Sequence, residues 1–271
     1  MATDPSPPAP PGTPLSDGQP SVAGSVLIDG RVHRRAGPWT PAGHALLSHL
    51  EAVGFDGAPR VLGFDTDGRE ILSWVEGEAP AAPWPGWMAA DAALETLGIL
   101  LRRYHDAVAT FVPPPGAVWR AWIGSPGGPI IRHGDLWPSN VVFRAGRPVA
   151  FIDWEFAQPG THLDDVASAA KHWAPLISDE RARADGWALP LDRGRRLRLL
   201  CDAYGLSSGE RARLIPTALA NAELGYRSHQ VWGEAGVPGF AEMWAAGSGR
   251  LIRGDRDWLQ AARSSLEGWL A

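Results

Sequence analysis

Ile130-Ile131-Arg132-His133-Gly134-Asp135-Leu136-Trp137-Pro138-Ser139-Asn140-Val141-Val142-Phe143 leads into a polar turn, Arg144-Ala145-Gly146-Arg147, and then into Pro148-Val149-Ala150-Phe151-Ile152-Asp153. Two apolar runs about a glycine-containing turn predict a β-hairpin. Asn140 lies just before its first strand and Asp153 just after its second. An antiparallel pair closes those ends on each other, so an amide oxygen and a carboxylate are expected to reach one point. Asp135 sits one short loop upstream of Asn140.

Phosphoryl transfer needs such a set. Hard oxygen ligands hold Mg²⁺ against the phosphates, and a further carboxylate orients the attacking hydroxyl and accepts its proton. A catalytic Asp, a short spacer, a metal-binding Asn and a later metal-binding Asp is the order found in kinase catalytic loops. Each residue also has a plainer reading. His133 holds the loop by hydrogen bonds rather than by proton chemistry. Asp135 and Asn140, taken singly, are turn or cap residues, and only their spacing promotes them. Asp153 ends an apolar strand, where an unpaired carboxylate is costly, which favours a cationic partner. Asp164 and Asp165 precede a helix and suit capping; Trp137 and Trp154 suit core packing.

The stretch resembles the aminoglycoside phosphotransferase and choline-kinase branch of the protein-kinase-like superfamily. His133 to Asn140 stands where that family has His-Gly-Asp-x-x-x-x-Asn, and Ile152 to Glu155 where it has Ile-Asp-Trp-Glu. Pro159-Gly160 followed by Asp164-Asp165-Val166-Ala167 continues the likeness. The resemblance implies an α+β, bilobal kinase-like fold and ATP or GTP as co-substrate. It implies Asp135 as catalytic base, Asn140 and Asp153 as Mg²⁺ ligands, and a hinge near Ser73 to Gly77, where Ser73, Trp74 and Val75 bind the base.

The first part of the chain departs from that family. Lys171 is the sole lysine, whereas kinase-like folds place a lysine on the third strand, paired with a glutamate of the next helix, to hold phosphates. Arg34 is the positional substitute, with Arg35 second; strand alternation puts Arg34 on the face of Val32. The helix offers His44 near the glutamate position and Glu51 further on. The glycine-rich segment, Asp17 to Gly24, is thin.

Around this centre, residues 1–20 read as a disordered tail, being rich in Pro, Ser, Gly and Ala. Residues 21–77 read as a small nucleotide-binding lobe. Its strands are Ser25–Ile28 and Arg31–Arg34 about the hairpin signal Asp29-Gly30, then Val61–Phe64 and Glu70–Val75. A helix between the pairs starts at Thr40-Pro41, with Thr40 as its cap, and ends at Gly54. Residues 78–271 read as a large, mainly helical lobe: Met88–Val108, the hairpin, and helices over Asp164–Trp173, Arg193–Tyr204, Glu210–Gly225 and Asp257–Leu270. The acceptor would dock on this lobe, with Glu155, Asp165 and Glu223 as candidate contacts.

Composition narrows the class. A net charge of −5 gives no support to nucleic-acid binding. Cys201 is alone, so neither an intrachain disulfide nor a cysteine-based zinc cluster forms. No apolar run nears the ~20 residues needed to span a bilayer, and the N-terminus lacks signal-peptide character. The expectation is a cytoplasmic small-molecule kinase with no nucleic-acid, membrane or obligate protein partner. Its acceptor is a small-molecule hydroxyl, an aminoglycoside or other antibiotic being a candidate. Two alternatives remain: a nucleotide-binding pseudokinase, and a metal-dependent hydrolase built from His133, Asp135, Asp153, His162 and Asp165.

Overall fold

The computed structural model describes residues 25–271 together with the strand Thr13–Pro14. The rest of the tail expected over residues 1–20, and the thin segment Asp17 to Gly24, lie outside the described residues. Thr13–Pro14 (β1) pairs antiparallel with Val26–Ile28 (β2) at the edge of a five-stranded sheet. An edge strand accepts proline because one side of it makes no ladder bonds.

β2 turns through Asp29 and Gly30, both at positive φ (49° and 70°), into Arg31–Arg34 (β3). That backbone matches the twist of a two-residue hairpin. Helix α1 covers Thr40–Ala52 and buries Leu46, Leu47 and Leu50. Its cap position is Trp39 rather than Thr40. The Thr40 hydroxyl is used earlier, accepting the Gly37 N–H at 2.9 Å, so it closes the turn before the helix. Val61–Phe64 (β4) and Glu70–Ser73 (β5) complete the sheet in the order β1-β2-β3-β5-β4. The interior position of β5 gives its residues partners on both sides.

The chain leaves β5 through Gly77, whose φ is +140°. Glu78 then exchanges backbone hydrogen bonds with Phe143, at 2.9 and 2.8 Å, which staples the sheet's exit to the central hairpin. Helix α2, Asp91–Val108, presents Leu94, Leu97, Leu101, Tyr104 and Val108 on one buried face at helical spacing. Strand β6 (Ile130–Arg132) pairs with β9 (Gln158–Gly160), and between them β7 (Val141–Arg144) pairs with β8 (Arg147–Phe151).

Helices α3 (His162–Trp173), α4 (Asp179–Ala184), α5 (Arg193–Tyr204), α6 (Ser208–Glu234), α7 (Phe240–Ala245) and α8 (Ser248–Leu270) form the remainder. Trp173, Tyr104, Phe151 and Leu136 are fully buried where α2, α3 and the hairpin meet. Helix α6 runs well past Gly225, where the sequence suggests a stop. Its packing against α3, α7 and α8 overrides the weak helix propensity of that glycine.

Two glycine substitutions separate these effects. A Cβ on Gly77 would lie 2.4 Å from the Phe143 carbonyl oxygen, on a backbone that side chains rarely adopt. Gly77→Ala is therefore expected to destabilise the protein by about 2 kcal/mol or more. Gly225 has open space at that position, so Gly225→Ala should stabilise by about 0.5–1 kcal/mol. Urea midpoints of the two variants would show opposite shifts.

Candidate active site

The β7–β8 ladder pairs Val141 with Phe151, and beyond it the Ile152 N–H donates to the Asn140 carbonyl at 2.9 Å. The strand ends therefore meet as the spacing requires. Asp153 follows in the left-handed region, φ 60° and ψ 63°. A non-glycine residue there carries roughly 1 kcal/mol of strain. That turn ends the strand and leaves Asp153 among the residues lining a cavity, together with Asp135, Asn140 and Arg34.

The loop carrying Asp135 is held from below. Asp165, in the first turn of α3 and fully buried, accepts the His133 N–H at 2.7 Å and the Gly134 N–H at 3.0 Å. It also meets His105 Nε2 at 3.2 Å, and His105 Nδ1 meets the Tyr204 hydroxyl at 2.7 Å. The His133 ring lies 3.0 Å from the Ile152 carbonyl through Nε2, and its Nδ1 accepts the Asp135 N–H at 3.3 Å. The ring thus ties the loop to the end of β8. Gly134, at φ +82°, brings the backbone close to the Phe156 carbonyl, where any Cβ would sit 2.3 Å from that oxygen. Above, Trp122 Nε1 donates to the Gly134 carbonyl at 2.8 Å. Asn140 Nδ2 donates to both the Asp135 carbonyl (3.0 Å) and its Oδ2 (2.9 Å), which aims the Asp135 side chain.

Negative charge is concentrated here. Burial first, then the charges of Asp153 and Glu155, push the Asp135 carboxyl up to about 8 against the hydrogen bond from Asn140. Burial and Asp153 likewise push Glu155 up to about 7, although Arg120 Nη1 lies 2.8 Å from it. Arg34 offsets part of this charge, donating from Nη1 to Asp153 Oδ1 at 2.9 Å. Among the described residues no three His, Cys, Asp or Glu side chains form a metal cage by themselves. Asn140 and Asp153 are hard oxygen donors at one cavity wall, within a surplus of carboxylates. That donor set fits a Mg²⁺ ion that keeps waters and phosphate oxygens as its other ligands.

The cavity measures about 360 Å³, within the size range of small-ligand sites. Arg34, Ser73, Trp74, Val75, Asp135, Asn140 and Asp153 all line it; His133, Glu155, Asp165 and Glu223 do not. Asp165 is taken up by the loop backbone, so its carboxylate is not offered to an acceptor. Glu223 lies exposed on α6 with Arg256 at 3.7 Å. The five residues of the hydrolase reading do not converge: His162 pairs with Glu210 at 2.7 Å, and Asp165 serves the loop. Two groups had no clear sequence signal. Glu70 is a charged residue turned inward at the start of an apolar strand, 3% exposed. Arg120, in the irregular segment before β6, lies within 4.7 Å of the Trp39 and Phe156 ring centres.

The sheet, the hairpin and the helices beyond it make an α+β fold of the protein-kinase-like type. It is shared with a microcompartment-associated aminopropanol kinase (TM-score 0.57, 14% identity, covering 91% of this chain and 88% of that one). It is also shared with a choline/ethanolamine kinase family protein from Mesorhizobium loti (0.54, 15%, 89% of each), and with aminoglycoside 2′-phosphotransferase-IIIa in its GDP complex (0.53, 14%, 89% of each). In sequence, the chain is 38% identical over 245 residues to the trifolitoxin immunity protein of Rhizobium leguminosarum bv. trifolii, covering 86% of this chain and 92% of that protein. Residues 117–200, which include the hairpin and its loop, match the phosphotransferase enzyme family. The chain belongs to that family.

Asp165→Ala leaves two buried N–H groups without an acceptor and is expected to cost about 3 kcal/mol in unfolding free energy. Burial would raise the Asp165 carboxyl, but the His105 hydrogen bond and nearby positive charges hold it below the ordinary aspartate value. Its contribution is therefore complete above the ordinary carboxylate range and is lost as pH falls through the lowered value. Unfolding curves of wild type and Asp165→Asn from pH 7 downward would show the variant lacking that acid-side slope.

Proposed function

We propose that the chain is a phosphotransferase moving the γ-phosphate of ATP or GTP to a hydroxyl of a small molecule. The single observation supporting this most is the meeting of the hairpin ends, which places Asn140 and Asp153 at one cavity wall with Asp135 in the same lining. In this reading residues 21–77 form the small lobe and residues 78–271 the large one, with nucleotide between them.

Ser73, Trp74 and Val75 would receive the base, and Arg34 the phosphates. Asn140 and Asp153 would hold Mg²⁺, which when bound neutralises phosphate charge and keeps the γ-phosphoryl aligned. Asp135, aimed by Asn140 Nδ2, orients the acceptor hydroxyl and takes its proton. Burial and the neighbouring carboxylates raise its proton affinity, which makes its ionised form the stronger base. The acceptor approaches Asp135 from the helical side. The 38% identical relative is an immunity protein against trifolitoxin, which favours an antibacterial compound over a central metabolite. Such an enzyme would act in the cytoplasm, where its nucleotide is found.

One observation favours the pseudokinase: Arg34 already pairs with Asp153, the group assigned to the metal. Turnover decides between the two readings. In a phosphate-transfer screen against aminoglycosides, macrolides and peptide antibiotics, Asp135→Asn should lower kcat about 100-fold or more while nucleotide binding stays near wild type. Asp153→Ala should weaken Mg²⁺–nucleotide binding itself. Full turnover by Asp135→Asn would remove Asp135 as the base.

A further inference from the structure

Arg34 is gripped by two carboxylates. Its Nε donates to Glu70 Oε1 at 2.7 Å, and its Nη1 to Asp153 Oδ1 at 2.9 Å. Glu70 stands directly across the ladder from Arg34, in register between β3 and β5. Its second oxygen, Oε2, lies 2.9 Å from His44 Nε2 of helix α1. His44 in turn packs against Phe64 of β4, ring centres 5.0 Å apart. Four side chains thus run without a break from α1 to the cavity: His44, Glu70, Arg34, Asp153. The helix's own glutamate takes no part, since Glu51 is exposed and faces Arg60 at 3.7 Å.

A buried carboxylate is costly unless paired and hydrogen-bonded. Burial alone would raise the Glu70 carboxyl, yet the His44 hydrogen bond and the Arg34 charge outweigh burial and hold it below its ordinary value. Glu70 therefore stands ionised and has both oxygens engaged. A guanidinium is a planar fork whose Nε edge and terminal nitrogens donate in fixed directions. Holding Nε fixes that plane and leaves the terminal nitrogens directed along the cavity wall. A lysine serves carboxylate and phosphate from one nitrogen, whereas the guanidinium divides those tasks between Nε and Nη1.

We infer that Glu70, steadied by His44, is the positioning residue for Arg34: it keeps Nε while Nη1 exchanges Asp153 for a nucleotide phosphate. The carboxylate partner of the phosphate-binding cation has moved from the helix to the adjacent strand, and His44 restores the link to α1. Arg34 balances the charge of Asp153, a task that a divalent cation held with the nucleotide would share. This inference rests on the phosphotransferase reading, since it presumes a nucleotide in the cavity.

The test is equilibrium binding of ATP with Mg²⁺, and of adenosine, to wild type and to Glu70→Gln, Arg34→Ala, Arg34→Lys and His44→Ala. Glu70→Gln should weaken ATP binding about tenfold, the worth of a charge-assisted hydrogen bond, and leave adenosine binding unchanged. Arg34→Ala and Arg34→Lys should both show that same selective loss, and His44→Ala a smaller one. ATP binding by Glu70→Gln equal to wild type overturns the inference. So does an equal loss for adenosine, which would make Glu70 a purely structural residue. If Glu70→Gln does not fold, judged by its melting curve, the ratio of ATP to adenosine affinity in His44→Ala decides. Wild type that binds neither ligand instead brings down the phosphotransferase reading, and this inference with it.

Discussion

The acceptance of two consecutive backbone N–H groups by Asp165 is the constraint on which the site depends. Asp135 belongs to a loop without regular structure, and such a segment keeps a fixed shape only when its polar backbone is satisfied. One buried carboxylate takes both the His133 and Gly134 donors, and the His133 ring then ties the same loop to the end of β8. Gly134 permits this closeness because it has no Cβ to meet the Phe156 carbonyl. With the loop held from α3 and from β8, Asp135 and Asn140 acquire a fixed relation, which their own hydrogen bond completes.

Charge balance is the second constraint, and it extends outward from the first. The charge of Asp153 raises the proton affinity of both Asp135 and Glu155, and Glu155 adds to that of Asp135, so cations close by relieve the arrangement. Arg34 and Arg120 supply them from separate parts of the chain: one from the sheet, the other from the irregular segment before β6. Each arginine is secured in its own way. Arg34 is fixed by Glu70, whereas Arg120 lies among aromatic faces that attract a guanidinium without hydrogen-bonding it. Both therefore act as part of the scaffold as well as neutralising charge.

The near absence of lysine gives this scaffold its particular form. A kinase-like sheet with lysine on its third strand can rely on a helical glutamate alone. With arginine there, the matching carboxylate has to face a planar, side-on donor, and the neighbouring strand offers that geometry because β3 and β5 pair in register at Arg34 and Glu70. The departure from the family's residue pattern and the inward glutamate on β5 are thus one adjustment seen from two strands.

By itself the sequence determined what local rules govern. The hairpin, the Asp29-Gly30 turn, the amphipathic face of α2 and the adjacency of Asn140 to the end of β8 all follow from period, turn chemistry and antiparallel pairing within short stretches. Only the tertiary structure decided the partners of Asp165, Glu70, His44 and Arg120. Asp165 looked like an acceptor contact or a helix cap, and its neighbours in the chain gave no hint that a distant loop would claim both its oxygens. Glu70 and Arg34 lie far apart in sequence and meet only because two strands align. The reach of α6 beyond Gly225 was likewise decided by its packing partners. Burial and long-range pairing set those outcomes, and both exist only once the elements have packed.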